Sequence, residues 1–127
     1  MDRRLIASGS PYEPVVGFSR AVVAGPHVFV AGTAPIMPDG KDPPADTYGQ
    51  TRRVLEIILE ALAEAGAEPE HVVRTRVFLT PDADFDEAAR AHGDVFSDIR
   101  PASTMLFVHS LADPRWHVEM EAQALLD

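Results

Sequence analysis

Hydrophobic positions along this chain switch between a period of two and a period near three and a half. From Gly17 to Thr33 the run GFSRAVVAGPHVFVAGT is rich in β-branched and aromatic residues, broken only by the turn signal Ala24-Gly25-Pro26. It predicts a hairpin with strands near 17–23 and 27–33, in which Gly32 marks a bulge or a close backbone approach. Ahead of it, residues 1–16 (MDRRLIASGSPYEPVV) carry two prolines and small polar breaks and read as an irregular lead-in. IMPDGKDPPAD, after the hairpin, reads as an exposed loop.

The period then lengthens. Tyr48, Thr51, Leu55, Ile58, Leu62 and Ala65 recur every three or four residues, predicting a helix that Asp46 caps and Gly66 stops. HVVRTRVFLT (71–80) alternates again, with Val73, Thr75, Val77 and Leu79 on one side and Val72, Arg74, Arg76 and Phe78 on the other. DFDEAARAHGDVF opens on an Asp84…Glu87 pair resembling a capping box; its apolar stripe is Phe85, Ala88, His92, Val95 and Phe96. STMLFVHS and WHVEMEAQALL predict two final strands joined by a turn through Asp113-Pro114.

The predicted order is β-β-α-β-α-β-β, one α+β domain over residues 1–127 whose two helices cover one face of a single mixed sheet. In the last strand Val118, Met120, Ala122 and Ala124 belong under the helices. Glu119 and Glu121 then share the opposite face with Arg74, Arg76, Val72 and Phe78. Such a face is too apolar for open water and too charged for an ordinary core, which predicts subunits packed sheet to sheet.

Composition narrows the function. The chain has 127 residues and a formal net charge of −9, which repels phosphate backbones and argues against a nucleic-acid partner. It has no cysteine, so thiolate metal sites and a cysteine nucleophile are excluded. No run approaches the ~20 apolar residues that cross a bilayer, and a cytoplasmic protein without membrane contact is expected. No phosphate-cradling glycine motif and no nucleophile elbow occurs. His109 and His117 flank the final turn but lack a third ligand, and no metal site is expected.

What remains is a site of glutamate, arginine and backbone groups. Glu119, mid-strand on the half-buried face, is either a carboxyl with raised pKa suited to general acid–base work or the partner of Arg74 or Arg76 in a structural ion pair. Arg100 precedes Pro101 in DIRPASTM and is expected in extended backbone at the mouth of a strand, as an anion clamp or one end of a salt bridge. His92, on the apolar stripe, is either a core histidine or a substrate-binding one.

The ordered segments FSRAVVAGPHVFVAGTAP, QTRRVLEIILEALAEAGAEPEHVVRTRVFLT, RPAST and VEMEAQAL resemble the RidA/YjgF family of reactive-intermediate deaminases over about residues 15–126. Proteins of that family were once labelled translation inhibitors or endoribonucleases. The resemblance implies a chorismate-mutase-like fold and a homotrimer with sites in inter-subunit clefts. Enamines or imines are hydrolysed there to keto acids and ammonia without a cofactor. It implies that Glu119 positions the attacking water, that the backbone at Met105 helps hold substrate, and that Gly32 lines the pocket.

Three positions depart from the pattern. Ser103 stands where active deaminases carry the substrate-binding arginine, Phe18 where they have a tyrosine, and Ala31 where they have a serine or threonine. Serine offers neither the charge nor the fork that a carboxylate wants. RPAST followed by VEMEA resembles a divergent subgroup whose substrates are poorly defined. The expected function is hydrolytic deamination of reactive enamine or imine intermediates, or of a related small carboxylate-bearing metabolite, at inter-subunit clefts, with Arg100 as replacement clamp. The alternatives are a non-catalytic metabolite-binding or interaction trimer and, more distantly, an endoribonuclease.

Overall fold

The structure, a computed structural model, describes residues 2–127. Six strands form one mixed sheet: β1 (Arg3–Ile6), β2 (Ala21–Ala24), β3 (His27–Thr33), β4 (Val72–Leu79), β5 (Ala102–Phe107) and β6 (Val118–Leu125), in the order β1-β2-β3-β6-β4-β5. Two helices, α1 (Thr47–Glu64) and α2 (Phe85–Phe96), pack against each other and over one face. Every strand pair is antiparallel except β4 and β5, and α2 is the crossover that a parallel pair requires.

The last two strands are therefore not the neighbours that the sequence suggests. β5 stops at Phe107 and forms the outer edge beside β4, while residues 108–117 carry the chain over to β6 in the middle of the sheet. A tight hairpin loop has no room for ten residues. The lead-in is also more regular than its composition implies. Arg3–Ile6 pairs with β2 along its whole length, and Glu13–Gly17 forms a π-helical turn closed by Gly17 at φ 88°. Only Ile6 of β1 is buried, so the edge strand shows no alternation for a sequence reading to find.

Two bulges set the faces. Pairing of β3 with β6 slips between Val30 and Thr33, placing the bulge at Ala31-Gly32, where Gly32 marks it in the sequence. A second slip lies between Val72 and Arg74 of β4. The extra residue there reverses the start of the strand: Val72 is buried under the helices and Val73 is 50% exposed, opposite to strict alternation. From Thr75 onward Thr75, Val77 and Leu79 face the helices as expected.

The helices begin and end on local chemistry. Asp46 accepts from Gly49 N at the start of α1, and the chain leaves it through Gly66 (φ 87°), with Ala67 N donating to Leu62 O and Gly66 N to Ala63 O. Asp84 accepts from Glu87 N, but Glu87 does not bond back to its own cap; its Oε1 accepts from Tyr48 N on α1. In return Asp84 N donates to Thr47 Oγ1, which also bonds His117 Nδ1 at 3.0 Å. The two helix starts are thus tied to each other and to the entrance of β6. Between helices and sheet lie Val54, Ile58, Leu62, Val28, Val77, Val118 and Met120, all fully buried.

Thr47→Val keeps the shape but strands the Asp84 N–H and one nitrogen of His117. A loss of about 1–3 kcal/mol is expected in urea unfolding, with the slope of the transition unchanged.

Candidate functional site

On β6 the alternation that buries Val118 and Met120 turns Glu119 to the face without helices, beside Phe78 of β4 in register. Its carboxylate lies over the β3 bulge. A side-chain carbon on Gly32 would stand 2.6 Å from Glu119 Oε2, so the carboxylate occupies the space that a Cβ would need. Glycine here is a matter of room: the half-buried carboxylate rests directly on backbone.

The bulge is braced by Arg20, which is only 8% exposed. Its guanidinium donates to Gly32 O at 3.2 Å and Thr33 Oγ1 at 2.9 Å, and Thr33 Oγ1 donates to Ala31 O. The backbone closes the same unit, with Ala31 N donating to Arg20 O. Glu13 and Glu119 both lie within electrostatic reach of Arg20. Glu13 itself is held by the Ser8 backbone N–H. Phe18 stands between the π-turn and Arg20, its N–H on Glu13 O. Sequence reasoning passed over Arg20; the signal available was a lone cation inside the apolar run FSRAVV.

Burial, and secondarily the charge of Glu121, push the Glu119 carboxyl above its usual range, while Arg20 pulls it back. A carboxylate so placed is a stronger base than a solvated one. Next to it, Phe29, Ala31, Arg74, Arg76, Glu121 and Gln123 line a groove of about 270 Å³. Arg76 pairs with Glu121 at 3.2 Å, so the ion pair considered for Glu119 goes to its neighbour. Among the described residues no cluster of His, Asp and Glu is placed to hold a metal.

Other candidates lie elsewhere. Ser103 and Met105 register with Thr75 and Val77, which face the helices. There Thr75 Oγ1 donates to Ser103 Oγ at 2.7 Å and bonds His92 Nε2 at 2.9 Å. His92 packs at a tilt against Phe96, with ring centroids 4.7 Å apart and the planes at 41°, and burial lowers its pKa. One chain therefore sets Glu119, Gly32 and Ala31 at one face of the sheet and Ser103, Met105 and His92 at the other.

Arg100 is not extended. Its φ is 58°, and its N–H bonds Phe96 O at 2.8 Å to close the end of α2. Proline bars the right-handed helical region to the preceding residue, and the left-handed one both ends the helix and turns the chain toward β5. Its exposed side chain makes no hydrogen bond or ion pair among the described residues.

The model of the family described as Endoribonuclease L-PSP matches residues 9–126. The chain belongs to that family. It is the group also called YjgF or RidA. An uncharacterised Streptomyces coelicolor protein is 42% identical over 121 residues, 95% of this chain and 90% of that one. A RutC family protein of Pyrococcus abyssi is 34% identical over 125 residues, 98% of each chain. Among solved structures, a Mycobacterium tuberculosis member of the YjgF/YER057c/UK114 family is 40% identical with a TM-score of 0.88, covering 98% of this chain and all (100%) of that one. A YjgF family member from Neisseria meningitidis is 27% identical with a TM-score of 0.83, covering 100% and 97%. The α+β sheet with two helices is thus the YjgF fold. No described helix is long and apolar enough to cross a membrane.

Gly32→Ala should leave the fold intact, because the group in its way is the free end of a side chain. The displaced Glu119 carboxyl should titrate closer to its ordinary value, as read from its carboxyl carbon shift by NMR. Glu119→Gln tests the same burial by stability. The folded pKa is raised, so the ionised carboxyl costs stability once the pH exceeds it, and that cost disappears on acidification. The Gln variant should melt above wild type at mildly alkaline pH, the gap closing as the solution is acidified.

Proposed function

We propose that this protein is a hydrolytic deaminase of small enamines or imines, working as a homotrimer in clefts between subunits. The observation that carries the reading is the Glu119 carboxyl, half-buried, raised in pKa and seated on Gly32 at a sheet face that no helix covers. Family membership supports it. So does the separation of Glu119 from Ser103 and Met105 across one sheet, since a second copy can set its exposed β5 edge against the uncovered face of the first without distorting either.

The chemistry asked of the site is modest. Glu119 takes one proton from water as its oxygen adds to the carbon of a C=N bond and passes it to nitrogen, then relays the hydroxyl proton of the resulting carbinolamine to the same nitrogen as the C–N bond breaks. One imine and one water become one carbonyl compound and one ammonia, and the carboxylate is regenerated. Backbone groups at the Ala31-Gly32 bulge and around Met105 position the substrate; no cofactor is required.

A second reading, a trimer that binds a small metabolite without turnover, is favoured by one feature: a neutral serine occupies position 103. Endoribonuclease activity, after which the family is named, is opposed by the net charge of −9.

With an imine generated in place by an amino-acid oxidase, wild type should accelerate ammonia release and Glu119→Ala should lose that acceleration by about 10²-fold or more. Equal rates for the two proteins remove Glu119 from the chemistry, and rates no better than buffer leave the binding trimer. Light scattering should give the mass of three chains; a monomer defeats the cleft.

A further inference from the structure

Three side chains on the helix side of the sheet form a continuous polar chain that the deaminase chemistry above leaves unused. Ser103 Oγ lies 2.7 Å from Thr75 Oγ1, and Thr75 Oγ1 lies 2.9 Å from His92 Nε2. The middle hydroxyl is wholly buried (0% exposed), while Ser103 on the edge strand is exposed. A buried threonine contacting both an outward serine and an inward imidazole is a wire with one end free.

Its surroundings carry no charge. One turn to either side of His92 on α2 stand Ala88, Ala89, Val95 and Phe96. β4 presents Thr75 and Val77 to this side, and β5 presents Ser103 and Met105. Arg74 and Arg76 point to the other face, where Arg76 is already paired. Asp94 and Arg90 are engaged with α1, at Tyr48 and Arg52. Burial lowers the pKa of His92, which favours its neutral form.

We propose that Ser103 is the specificity-determining residue of the cleft. It binds an uncharged carbonyl, such as a carboxamide or ester, in place of a carboxylate, with Thr75 and His92 as positioning residues behind it. The inference rests on the cleft reading proposed above. With His92 Nε2–H donating to Thr75 and Thr75 to Ser103, the Ser103 proton is left to donate outward to a carbonyl oxygen. Moving the imidazole proton to Nδ1 reverses the chain, so that Ser103 donates inward and accepts an amide N–H. Each bond in the row polarises the next. A carboxylate at the same place would surrender its hydration for one neutral hydrogen bond, whereas an amide gives up far less.

Pyruvate and pyruvamide share a keto skeleton and differ in the charge on the first carbon. Titrated calorimetrically into the full chain, pyruvamide should bind about tenfold or more tightly than pyruvate, the discrimination one well-made hydrogen bond supplies. Ser103→Ala should erase that preference by weakening pyruvamide alone, and Ser103→Arg should invert it. Thr75→Val should act like Ser103→Ala, and Thr75→Ser, which restores the hydroxyl, should recover the preference; a merely structural threonine would not discriminate between the two ligands. Arg100→Ala should leave the preference as it is.

A wild-type preference for pyruvate overturns the inference. So does an unchanged preference in Ser103→Ala, a preference that vanishes in Arg100→Ala, or no binding of pyruvamide at all. Where any of these occurs in a protein whose Glu119→Ala variant is inactive on imines, only the role of Ser103 falls. Where Glu119→Ala also has no effect, the cleft itself was the error.

Discussion

The structure depends on the position of β6, which is paired on both edges, with β3 on one side and β4 on the other. A strand so placed cannot slide, because a slip of one residue would turn Val118, Met120, Ala122 and Ala124 out of the core and Glu119 and Glu121 into it. The burial of four apolar side chains and the outward aim of two carboxylates are the same constraint seen from two sides. At about 1.5–3 kcal/mol for each large apolar side chain buried, the core outweighs what it costs to leave Glu119 half out of water. The Glu119 carboxylate is thereby held on a rigid element instead of a loop.

That rigidity is refined at the bulge. Without the irregularity between Val30 and Thr33, the β3 backbone would run under Glu119 in plain register. Arg20 donates to the Gly32 carbonyl and to Thr33, so one buried guanidinium both fixes the irregular backbone and supplies the countercharge that restrains Glu119. Arginine suits this place because its charge survives burial; burial lowers its pKa from a very high starting point, and one of its terminal nitrogens donates to two acceptors at once.

Much of this was legible in the residues, and the failures have physical causes. Both helices, with Asp46, Gly66 and Asp84 at their ends, follow from periodicity and local hydrogen bonding, which act within a few residues. The faces of β6 follow from alternation for the same reason. Strand pairing is different, because it depends on partners far along the chain. β5 shows mostly exposed positions and sits parallel to β4 through α2, and nothing within its own six residues distinguishes that from a hairpin arm. The slip at Val73 reverses two valines whose composition fits either face. Arg100 was read from what proline forbids; the left-handed region that proline leaves open was decided by the need to end α2. Glu119 was visible as a carboxylate on an uncovered face, but its seat on Gly32 and its neighbour Arg20 arise only when β2, β3 and β6 are assembled.

The uncovered face supplies the last step. Phe29 and Val73 are 43% and 50% exposed there, beside Arg74, Arg76 and Glu121. As an exposed pair, Arg76 and Glu121 contribute little to stability, because water screens both and the side chains lose freedom. Covered by a second copy, as the proposed trimer requires, the same groups would sit in a medium where a mismatched charge is costly and a matched one specifies register. A face of this composition therefore favours one docking geometry over many, which is the property a site divided between subunits needs. In the proposed trimer it would bring the Glu119 side of one sheet to the Ser103 edge of another with the precision, about 0.5 Å, that a working site needs. A wholly apolar face would bind more indiscriminately, and a wholly charged one would stay in water.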